Sequence, residues 1–559
     1  MSNNGKFDMS KKITILGLAL ILLIQLFACL YFGTKKEGFH EDEIATYGLS
    51  SCPNALGRKD YEITWKSGKD YENLLIVNEN TRFSYGMVYD NQVRDVHPPL
   101  YYFLIHSLES FFPGIFSKWI GIAPNILFCL LTTLLIFYIS NQITKSRVIS
   151  VCTAAFWALS IGGLSTAVFI RMYAMLTFFT TGLLALHVKI WKKLQTDTVL
   201  KYSDYVLLLL CTAAGILTQY YFMIFCFFLC GVFALYLLIS RRWKLLFGYI
   251  FIETGAVVVS LLSFPAILRH ISSGYRGKEA FRNALSSEGT VEHLKSVALI
   301  ISKQNFSGWL KEFIIISVLS VTLIIVCRYF LHLKISYDKE KQKFIFNFDI
   351  YLERKFICSL SLTELPYAFV LVTAVGYYIL VAKIAPYQAD RYYMCIYPLV
   401  ALLITKFIFM ILCIFRSSMM KKIMAFVAVL VVITAFGQIS QSVNYLYEGN
   451  SERNKLHDYK ELPVIIINGT YDWYPNSWSY EYMEHPAVFR SKSYLNFDGM
   501  ENVTVGCDLS GGFLLYACRT SMEETELFSK IGEFVPIASY EKIVFNGDPV
   551  YLCVPEAEQ

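Results

Sequence analysis

Residues 13–31 read ITILGLALILLIQLFACLY, nineteen positions without a charged side chain. An α-helix needs about 20 apolar residues to cross the hydrocarbon core of a bilayer. Ten more segments of this kind follow, at 119–140, 148–169, 172–190, 205–218, 221–239, 245–268, 313–331, 365–384, 393–415 and 424–439. The sequence therefore predicts an all-α polytopic membrane protein with about eleven transmembrane helices.

The composition of the whole chain supports this class. Of 559 residues, 55% are hydrophobic and 17% are charged, whereas a soluble domain carries about 25% charged residues. The mean hydropathy is +0.45. The composition excludes a disordered chain and a small disulfide-stapled fold. It also disfavours a soluble enzyme, because one water-soluble core cannot hide so much apolar surface.

Lysine and arginine placement predicts the orientation. These residues concentrate in the breaks at 11–12, 145–147, 189–193, 241–244, 334–355 and 416–422. If eleven spans alternate in direction, all of these breaks lie on one side, which the positive-inside rule assigns to the cytoplasm. We therefore expect a multi-pass protein of the plasma membrane with a cytoplasmic N-terminus and an extracytoplasmic C-terminus.

The predicted domains are a membrane domain at 1–441 and an extracytoplasmic domain at 442–559. The membrane domain has large outer loops at 33–97 and 269–311 and a surface helix at 98–112. The C-terminal domain is acidic, with 8 Lys/Arg against 18 Asp/Glu. Runs at 464–468, 512–517 and 550–554 predict strands and 520–531 predicts a helix, so we expect a small α/β domain. Cys507 and Cys518 flank a Gly-Gly turn and either pair as a disulfide or remain free.

Two groups of polar residues at the predicted outer edge are candidates for chemistry. Asp42 and Glu43 follow the first span directly, within three consecutive acids. Asp95 and His97 precede a Pro-Pro pair, which ends any earlier helix and fixes the start of the next one. That next helix carries Tyr101. Alternatively, the acids only mark the start of a solvated loop, and His97 only caps a helix.

Arginines at predicted outer span ends form a second set of candidates. Arg171 precedes Tyr173 by two residues, and Arg391 directly precedes Tyr392. A lone arginine in this position usually reaches toward lipid headgroups, but two of them near carboxylates indicate a phosphate site. The basic outer loop adds Arg276 and Lys278, which both lie in the run GYRGKEAFR. This loop is either a mobile lid that grips an anion or a solvated loop over headgroups.

These residues carry a resemblance. The sequence resembles the polyprenyl-phosphate-dependent glycosyltransferases of the GT-C class, in particular the bacterial group of protein O-mannosyltransferases and aminoarabinose transferases. The matching positions are Asp42-Glu43, the run D-x-H-P-P-L-Y-Y from Asp95 to Tyr102, Arg171 with Tyr173, and Arg391-Tyr392 before Pro398. Where many members have Thr-His-Tyr, this chain has Thr218-Gln219-Tyr220. The resemblance covers about the first 440 residues.

The resemblance implies transfer of a sugar from a polyprenyl-phosphate donor to a hydroxyl acceptor, with inversion at the sugar carbon. The acceptor is a cell-envelope glycan, a glycolipid or a protein, and no nucleic acid takes part. Asp42 is the candidate base, with Glu43 and Asp95 next, because a carboxylate can take the acceptor proton. The candidates for substrate binding are His97, Tyr101, Arg171, Tyr173, Arg276, Lys278, Arg391 and Tyr392. No cofactor is required, although Asp42, Asp95 and His97 offer ligands for a divalent metal.

Two other functions are compatible with the sequence. A polytopic transporter or a flippase for lipid-linked glycans also needs many spans, but it usually places ionisable residues at mid-membrane. Here Glu253 is the candidate of that kind. A binding or assembly protein that displays the acidic tail would not need Asp42 and Asp95. An assay of donor hydrolysis or transfer with membranes distinguishes the three functions.

Overall fold

The computed structural model of the chain describes residues 10–54, 62–286, 289–325, 332–338, 343–349, 365–414, 417–447, 451–469, 474–492, 497 and 499–556. Most of these residues are helical. A six-stranded sheet, built mainly by the C-terminal part of the chain, packs against one end of the helix bundle. We call this end of the bundle the sheet end.

The first eleven helices are α1 (Lys11–Lys35), α2 (Glu41–Ser51), α3 (Gly68–Glu72), α4 (Tyr85–Arg94), α5 (Leu100–Phe111), α6 (Lys118–Thr144), α7 (Arg147–Ala158), α8 (Ile161–Val168), α9 (Tyr173–Gln195), α10 (Tyr202–Thr218) and α11 (Tyr221–Ile239). The next eight are α12 (Trp243–Ser263), α13 (Ala266–Ser272), α14 (Tyr275–Leu285), α15 (Thr290–Phe306), α16 (Leu310–Ile325), α17 (Leu365–Ile384), α18 (Tyr397–Ile414) and α19 (Met419–Ser440). Three short helices follow: α20 (Ser451–Asn454), α21 (Ser479–Tyr482) and α22 (Glu524–Gly532).

Within the described part of the chain, fewer helices than predicted reach the length and apolarity of a full membrane span. Among the described residues, eight helices are long and apolar enough to cross a membrane, or nine if α7 and α8 form one bent span. The sequence predicted eleven. Of the remaining apolar segments, α10 has 17 residues, at the lower limit for a span, and α16 is described only as far as Ile325. Residues 326–331, the end of the predicted eighth span, lie outside the described residues.

The helices differ in how much of their surface the protein covers. In the most apolar stretch of each of α1, α12 and α19, 22% of the residues are buried inside the protein, whereas 72% are buried in that of α9. Side chains such as Leu16 and Leu262 are largely exposed, and in a helix of this apolarity they face lipid rather than water. The central helix α9 is therefore surrounded by the others, and its first residue lies beside the candidate site.

A sharp bend between α7 and α8 brings a loop to the sheet end. The direction of the helix axis changes by 53° between them. Ser160 caps α8, and its hydroxyl accepts a hydrogen bond from the backbone N–H of Gly163 at 3.0 Å. Side-chain capping satisfies a donor that the new helix start would otherwise leave unpaired. The short α8 then ends just before Arg171, so the bend determines where this arginine lies.

The sheet contains strands from two distant parts of the chain. Its strands are β1 (Trp65–Lys66), β4 (Val464–Asn468), β5 (Val488–Arg490), β6 (Phe513–Cys518), β7 (Ile537–Val544) and β8 (Val550–Pro555), in the order β1-β5-β4-β6-β8-β7; β2 (His332–Asp338) and β3 (Lys343–Asp349) form a separate antiparallel pair. β4 pairs in parallel with β5 and β6, and the other pairs of the sheet are antiparallel. The edge strand β1 comes from the predicted first outer loop, so this loop is joined to the sheet by hydrogen bonds.

Strand β4 is buried on both faces and connects two apolar cores. Val464 and Ile466 belong to a core that the sheet shares with the helix bundle. Ile465 and Ile467 point to the opposite face, into a core that contains α22. This alternation follows from the two-residue repeat of a strand, and it explains why the run 464–468 is apolar at four successive positions.

The C-terminal part agrees with the predicted strands and corrects one alternative. Strands β4, β6 and β8 lie where the apolar runs predicted them. The helix predicted at 520–531 is α22, which begins at Glu524 and ends at Gly532. Cys507 and Cys518 are both free thiols. Cys518 is fully buried at the end of β6, so the disulfide between these two cysteines, one of the two alternatives, is not formed.

Candidate active site

The first helix after α1 presents Asp42 at its amino-terminal end. His40 precedes the helix, and its Nδ1 atom accepts a hydrogen bond from the backbone N–H of Asp42 at 3.0 Å. Glu43 in turn accepts from the backbone N–H of His40 at 2.6 Å. This reciprocal arrangement is a capping box. It fixes the start of α2, where the helix dipole favours a negative charge such as that of Asp42.

Two arginines from distant segments lie beside the carboxylate of Asp42. The Nη2 atom of Arg391 is 3.3 Å from Oδ2, and the Nη2 atom of Arg171 is 4.0 Å from Oδ1. Both arginine side chains are almost completely buried, whereas 29% of the Asp42 side chain is exposed. The site therefore has one accessible carboxylate held between two positive charges.

The charges around Asp42 determine its protonation. Burial by itself raises the pKa of this carboxyl, but the charges of Arg171 and Arg391 outweigh burial and hold the pKa below its ordinary value. An opposite charge within about 4–6 Å favours the ionised form of a carboxyl. Asp42 is thus a carboxylate at neutral pH.

A second carboxylate, that of Asp95, is connected to Arg171 by hydrogen bonds through His97. Oδ2 of Asp95 lies 2.7 Å from Nδ1 of His97, and Nε2 of His97 lies 3.4 Å from Nη2 of Arg171. Burial raises the pKa of Asp95, but the neighbouring His97 and Arg171 more than offset it, so that the pKa lies below its ordinary value. An ionised Asp95 holds the proton of His97 on Nδ1, so Nε2 presents its lone pair to Arg171.

The predicted Tyr101 is directed away from these groups, and its neighbour Tyr102 is directed toward them. The hydroxyl of Tyr101 donates to Oδ1 of Asn125 at 3.1 Å inside the helix bundle. Arg171 donates from Nη1 to the hydroxyl of Tyr102 at 2.7 Å and to Oγ1 of Thr46 at 2.9 Å. Successive helical residues differ by about 100° in direction, so only one tyrosine of the pair can face Arg171.

The predicted basic lid contributes Arg276 but not Lys278. Arg391 donates to the hydroxyl of Tyr387 at 2.6 Å, and the guanidinium of Arg276 lies 5.7 Å from the centre of the same Tyr387 ring. Lys278 is exposed. Two residues along a helix correspond to about 200°, which places Lys278 on the other side of α14.

Two further predicted residues form apolar walls near Arg391. Tyr173 is buried at the start of α9, with its ring stacked 5.8 Å from that of Phe169. Tyr392 is also buried, and its ring centre lies 5.5 Å from the guanidinium of Arg391.

Three residues of the site were not predicted as such from the sequence: Tyr387, Tyr102 and Thr46. Thr46 follows Asp42 by one helical turn, a spacing that places both on one face.

Glu43 differs from Asp42 in its surroundings. Its carboxylate pairs with the ammonium of Lys36 at 2.9 Å, and both side chains are fully buried. It also accepts a hydrogen bond from the backbone N–H of Ile170 at 2.8 Å. Burial raises the pKa of Glu43, and the charge of Lys36 opposes this effect. These contacts connect the start of α2 to the loop that carries Arg171, and they occupy the carboxylate that was predicted as catalytic.

The residues for which the sequence allowed a metal do not form a ligand set. The ligand atoms of Asp42, Asp95 and His97, all described, do not converge within 4.8 Å of one another. Arg171 lies between Asp42 and His97, and its positive charge opposes a cation there. This arrangement fits an anionic ligand better than a divalent metal.

The sheet contacts the helix that carries Asp42. Arg519, at the end of β6, pairs with Glu41 of α2 at 3.2 Å. The ring of Tyr474 lies 3.7 Å from the guanidinium of Arg519, and the hydroxyl of Tyr474 donates to Asp548 at 2.8 Å. Part of the C-terminal region therefore lies directly beside the candidate site.

Comparisons with known proteins give a structural likeness without a sequence match. No family model matches the chain, and no curated protein matches it. A crystal structure of ArnT from Cupriavidus metallidurans bound to undecaprenyl phosphate matches with a TM-score of 0.52 and 11% sequence identity, over 96% of this chain and 97% of that one. The apo state of the same ArnT matches equally well. The chain therefore shares the fold of this ArnT over nearly the whole length of both chains.

Proposed function

We propose that this protein transfers a sugar from a polyprenyl-phosphate donor to a hydroxyl group of a cell-envelope glycan, a glycolipid or a protein. The single observation that carries the proposal is the carboxylate of Asp42 between Arg391 and Arg171. A carboxylate suits the acceptor hydroxyl, and paired guanidinium groups suit a phosphate. The ArnT-like fold, found in a crystal structure with undecaprenyl phosphate, supports the same class of donor.

In the proposed reaction, one bond to the sugar carbon forms while another breaks. The acceptor oxygen forms a bond with the anomeric carbon of the sugar while the bond from that carbon to the phosphate oxygen breaks. The proton of the acceptor hydroxyl moves to Asp42, and the bonding electrons leave with the polyprenyl phosphate. Arg391 and Arg171 stabilise the negative charge that develops on the departing phosphate. Attack opposite to the leaving group inverts the sugar carbon.

Donor binding changes the basicity of Asp42 in this proposal. Without a donor, the two arginines lower the pKa of Asp42, which makes it a weak base. A bound phosphate carries its own negative charge and competes for the same guanidinium groups. The pKa of Asp42 then rises toward its ordinary value, so the carboxylate becomes a stronger base when the sugar is in place.

The groups behind the arginines position them for this task. Asp95 orients His97, which contacts Arg171, and Glu43 holds the preceding backbone at Ile170. We therefore assign Asp42 to proton transfer, and Asp95, His97 and Glu43 to positioning. This assignment replaces the earlier expectation that Glu43 and Asp95 act as alternative bases.

Mass spectrometry of envelope glycans and glycolipids from cells with and without the gene tests the proposal. We expect one sugar modification to disappear in the deletion strain and to return with the wild-type gene. The Asp42→Asn gene should not restore it, while an Asp90→Asn gene should, because Asp90 is an exposed carboxylate of α4 in the same loop. An unchanged glycan and glycolipid profile in the deletion strain contradicts the proposal.

A further inference from the structure

A group of polar side chains lies within the helix bundle, apart from the candidate active site. His187 on α9, Cys230 on α11 and Glu253 on α12 have ligand atoms that all lie within 4.8 Å of one another. Cys230 and Glu253 stand near the middle of their helices. Three different spans therefore direct a nitrogen, a sulfur and an oxygen ligand to one point at mid-membrane depth.

Glu253 is the costly member of this group. A carboxylate at the centre of a membrane helix is unfavourable, and such residues usually pair with another group or belong to a functional site. Its Oε1 atom is buried and has no hydrogen-bond partner among the described residues. Buried polar atoms in folded proteins nearly always have a partner, so this oxygen is suited to a ligand that the protein chain itself does not supply.

The hydrogen bonds of His187 leave the correct ring nitrogen for a metal. Nδ1 lies 2.8 Å from the carbonyl oxygen of Leu183, so the proton stands on Nδ1. A ligating histidine commonly donates its second ring N–H to a carbonyl in this way. The lone pair of Nε2 now accepts from the hydroxyl of Tyr249 at 2.8 Å. A metal would take this lone pair and leave Tyr249 close enough to serve as a further ligand.

The chemistry of the ligands favours zinc. A thiolate, an imidazole and a carboxylate form a mixed set of the kind that Zn²⁺ binds with tetrahedral geometry. Cys226 precedes Cys230 by one helical turn and provides a second sulfur on the same face. Binding would release the protons of Cys230 and Glu253. The two resulting negative charges balance the ion, which makes the site neutral inside the membrane.

We propose that His187, Cys230 and Glu253 bind a structural zinc ion that joins α9, α11 and α12. The ion holds together the central helix, whose first residue lies beside Arg171, and two helices that are more exposed to lipid. This site does not depend on the proposed transferase reaction, and it uses none of the residues assigned to that reaction.

Elemental analysis of the purified full-length chain in detergent tests the site. Cells are grown with added zinc, and the protein is dialysed against zinc-free buffer without a strong chelator. We expect about one zinc per chain in the wild type, and at least a fivefold lower content in Cys230→Ser and in Glu253→Gln. The control Cys152→Ser, a half-buried cysteine of α7, should keep the wild-type content.

Cobalt provides a second readout in the wild-type chain. Loading with Co²⁺ in place of zinc should produce a thiolate-to-cobalt absorption band, because Cys230 is a ligand in the proposed site. A wild-type chain that holds less than about one tenth of an equivalent of zinc, or that shows no such band with cobalt, overturns the proposal. Retention of full zinc by Cys230→Ser and Glu253→Gln overturns it as well.

Discussion

The Oδ2 atom of Asp42 lies 3.3 Å from the Nη2 atom of Arg391. This contact connects α2, the first helix after the first span, to the segment just before α18. Asp42 stands at the amino-terminal end of α2, and Arg391 lies in the short helical turn Asp390–Ile396 just before α18. Oδ1 and Oδ2 of Asp390 accept hydrogen bonds from Tyr445 and Asn444, respectively. The pairing of Asp42 with Arg391 therefore depends on contacts from three separate parts of the chain.

The pH dependence of transfer should report the pairing of Asp42 with the arginines. Asp42 must be ionised to accept a proton, and its pKa is below the ordinary value, so wild-type kcat/KM should not fall on the acid side until below about pH 4. Arg391→Ala removes one of the charges that lower this pKa. The acid limb of its kcat/KM profile should therefore move upward by about 1 pH unit.

The control for this profile is Arg82→Ala, since Arg82 pairs with Glu79 at 3.0 Å in the same loop and does not contact Asp42. Its acid limb should coincide with that of the wild type. Identical acid limbs in the wild type and Arg391→Ala would show that the titrating group is not under the influence of Arg391, and Asp42 would lose its role as base.

Replacement of Glu43 should mainly affect stability. Glu43→Gln leaves the ammonium of Lys36 buried without its carboxylate partner. Removal of one member of a buried ion pair costs about 3–5 kcal/mol. Thermal unfolding in detergent should therefore show a clearly lower Tm for Glu43→Gln than for Asp90→Asn, which replaces an exposed carboxylate. A normal Tm together with a complete loss of transfer in Glu43→Gln would instead place Glu43 in the chemistry.

The helix α14 should contribute to donor binding through one of its two predicted residues. Arg276 approaches Tyr387, which accepts a hydrogen bond from Arg391. Arg276 is partly exposed and pairs with Glu279 at 2.9 Å, so its charge can contribute up to about 1 kcal/mol to binding a nearby phosphate. Arg276→Ala should therefore raise the donor KM by up to about fivefold, with a smaller change in kcat. Lys278→Ala is the matched control and should leave the donor KM unchanged. Equal effects of the two substitutions would mean that only the net charge of the loop matters.

The orientation that the Lys/Arg placement predicts can be tested directly. A reporter fused after Ile439, at the end of α19 and before the sheet, should report a location outside the cytoplasm. A reporter inserted at Arg241, between α11 and α12, should report the cytoplasm. The reverse pair of signals would place the candidate site on the cytoplasmic side and remove the proposed donor from its reach.

Much of the fold could be predicted from local sequence, because apolar length and strand alternation are local properties. All eleven apolar segments are helical over most of their described residues, and the strands at 464–468 and 550–554 lie where they were expected. The bend between α7 and α8 was missed, since the run 148–169 contains no charged residue and the break depends on the cap at Ser160. The strand at Trp65 was missed because its pairing partner, Phe489, is remote in sequence.

The site was predictable in its components but not in its contacts. Asp42, His97, Arg171 and Arg391 were chosen as polar residues at the edge of apolar segments, and the structure brings them together. The sequence could not show which tyrosine, Tyr101 or Tyr102, contacts Arg171. Both follow the same prolines, and only the rotation of α5 separates them. Residues whose role depends on burial by distant segments, such as Glu43, require the structure.

Transfer by the purified chain, compared with Asp42→Asn, tests the central claim most directly. The donor is a lipid extract from the source cells, the acceptor is their envelope fraction, and mass spectrometry measures the sugar that moves from polyprenyl phosphate to the acceptor. We predict transfer by the wild type and a rate lower by about 10²–10⁴-fold in Asp42→Asn, because an amide cannot accept the proton. Transfer at the wild-type rate by Asp42→Asn, or none by the wild type, would contradict the assignment of Asp42 as the base of a polyprenyl-phosphate glycosyltransferase.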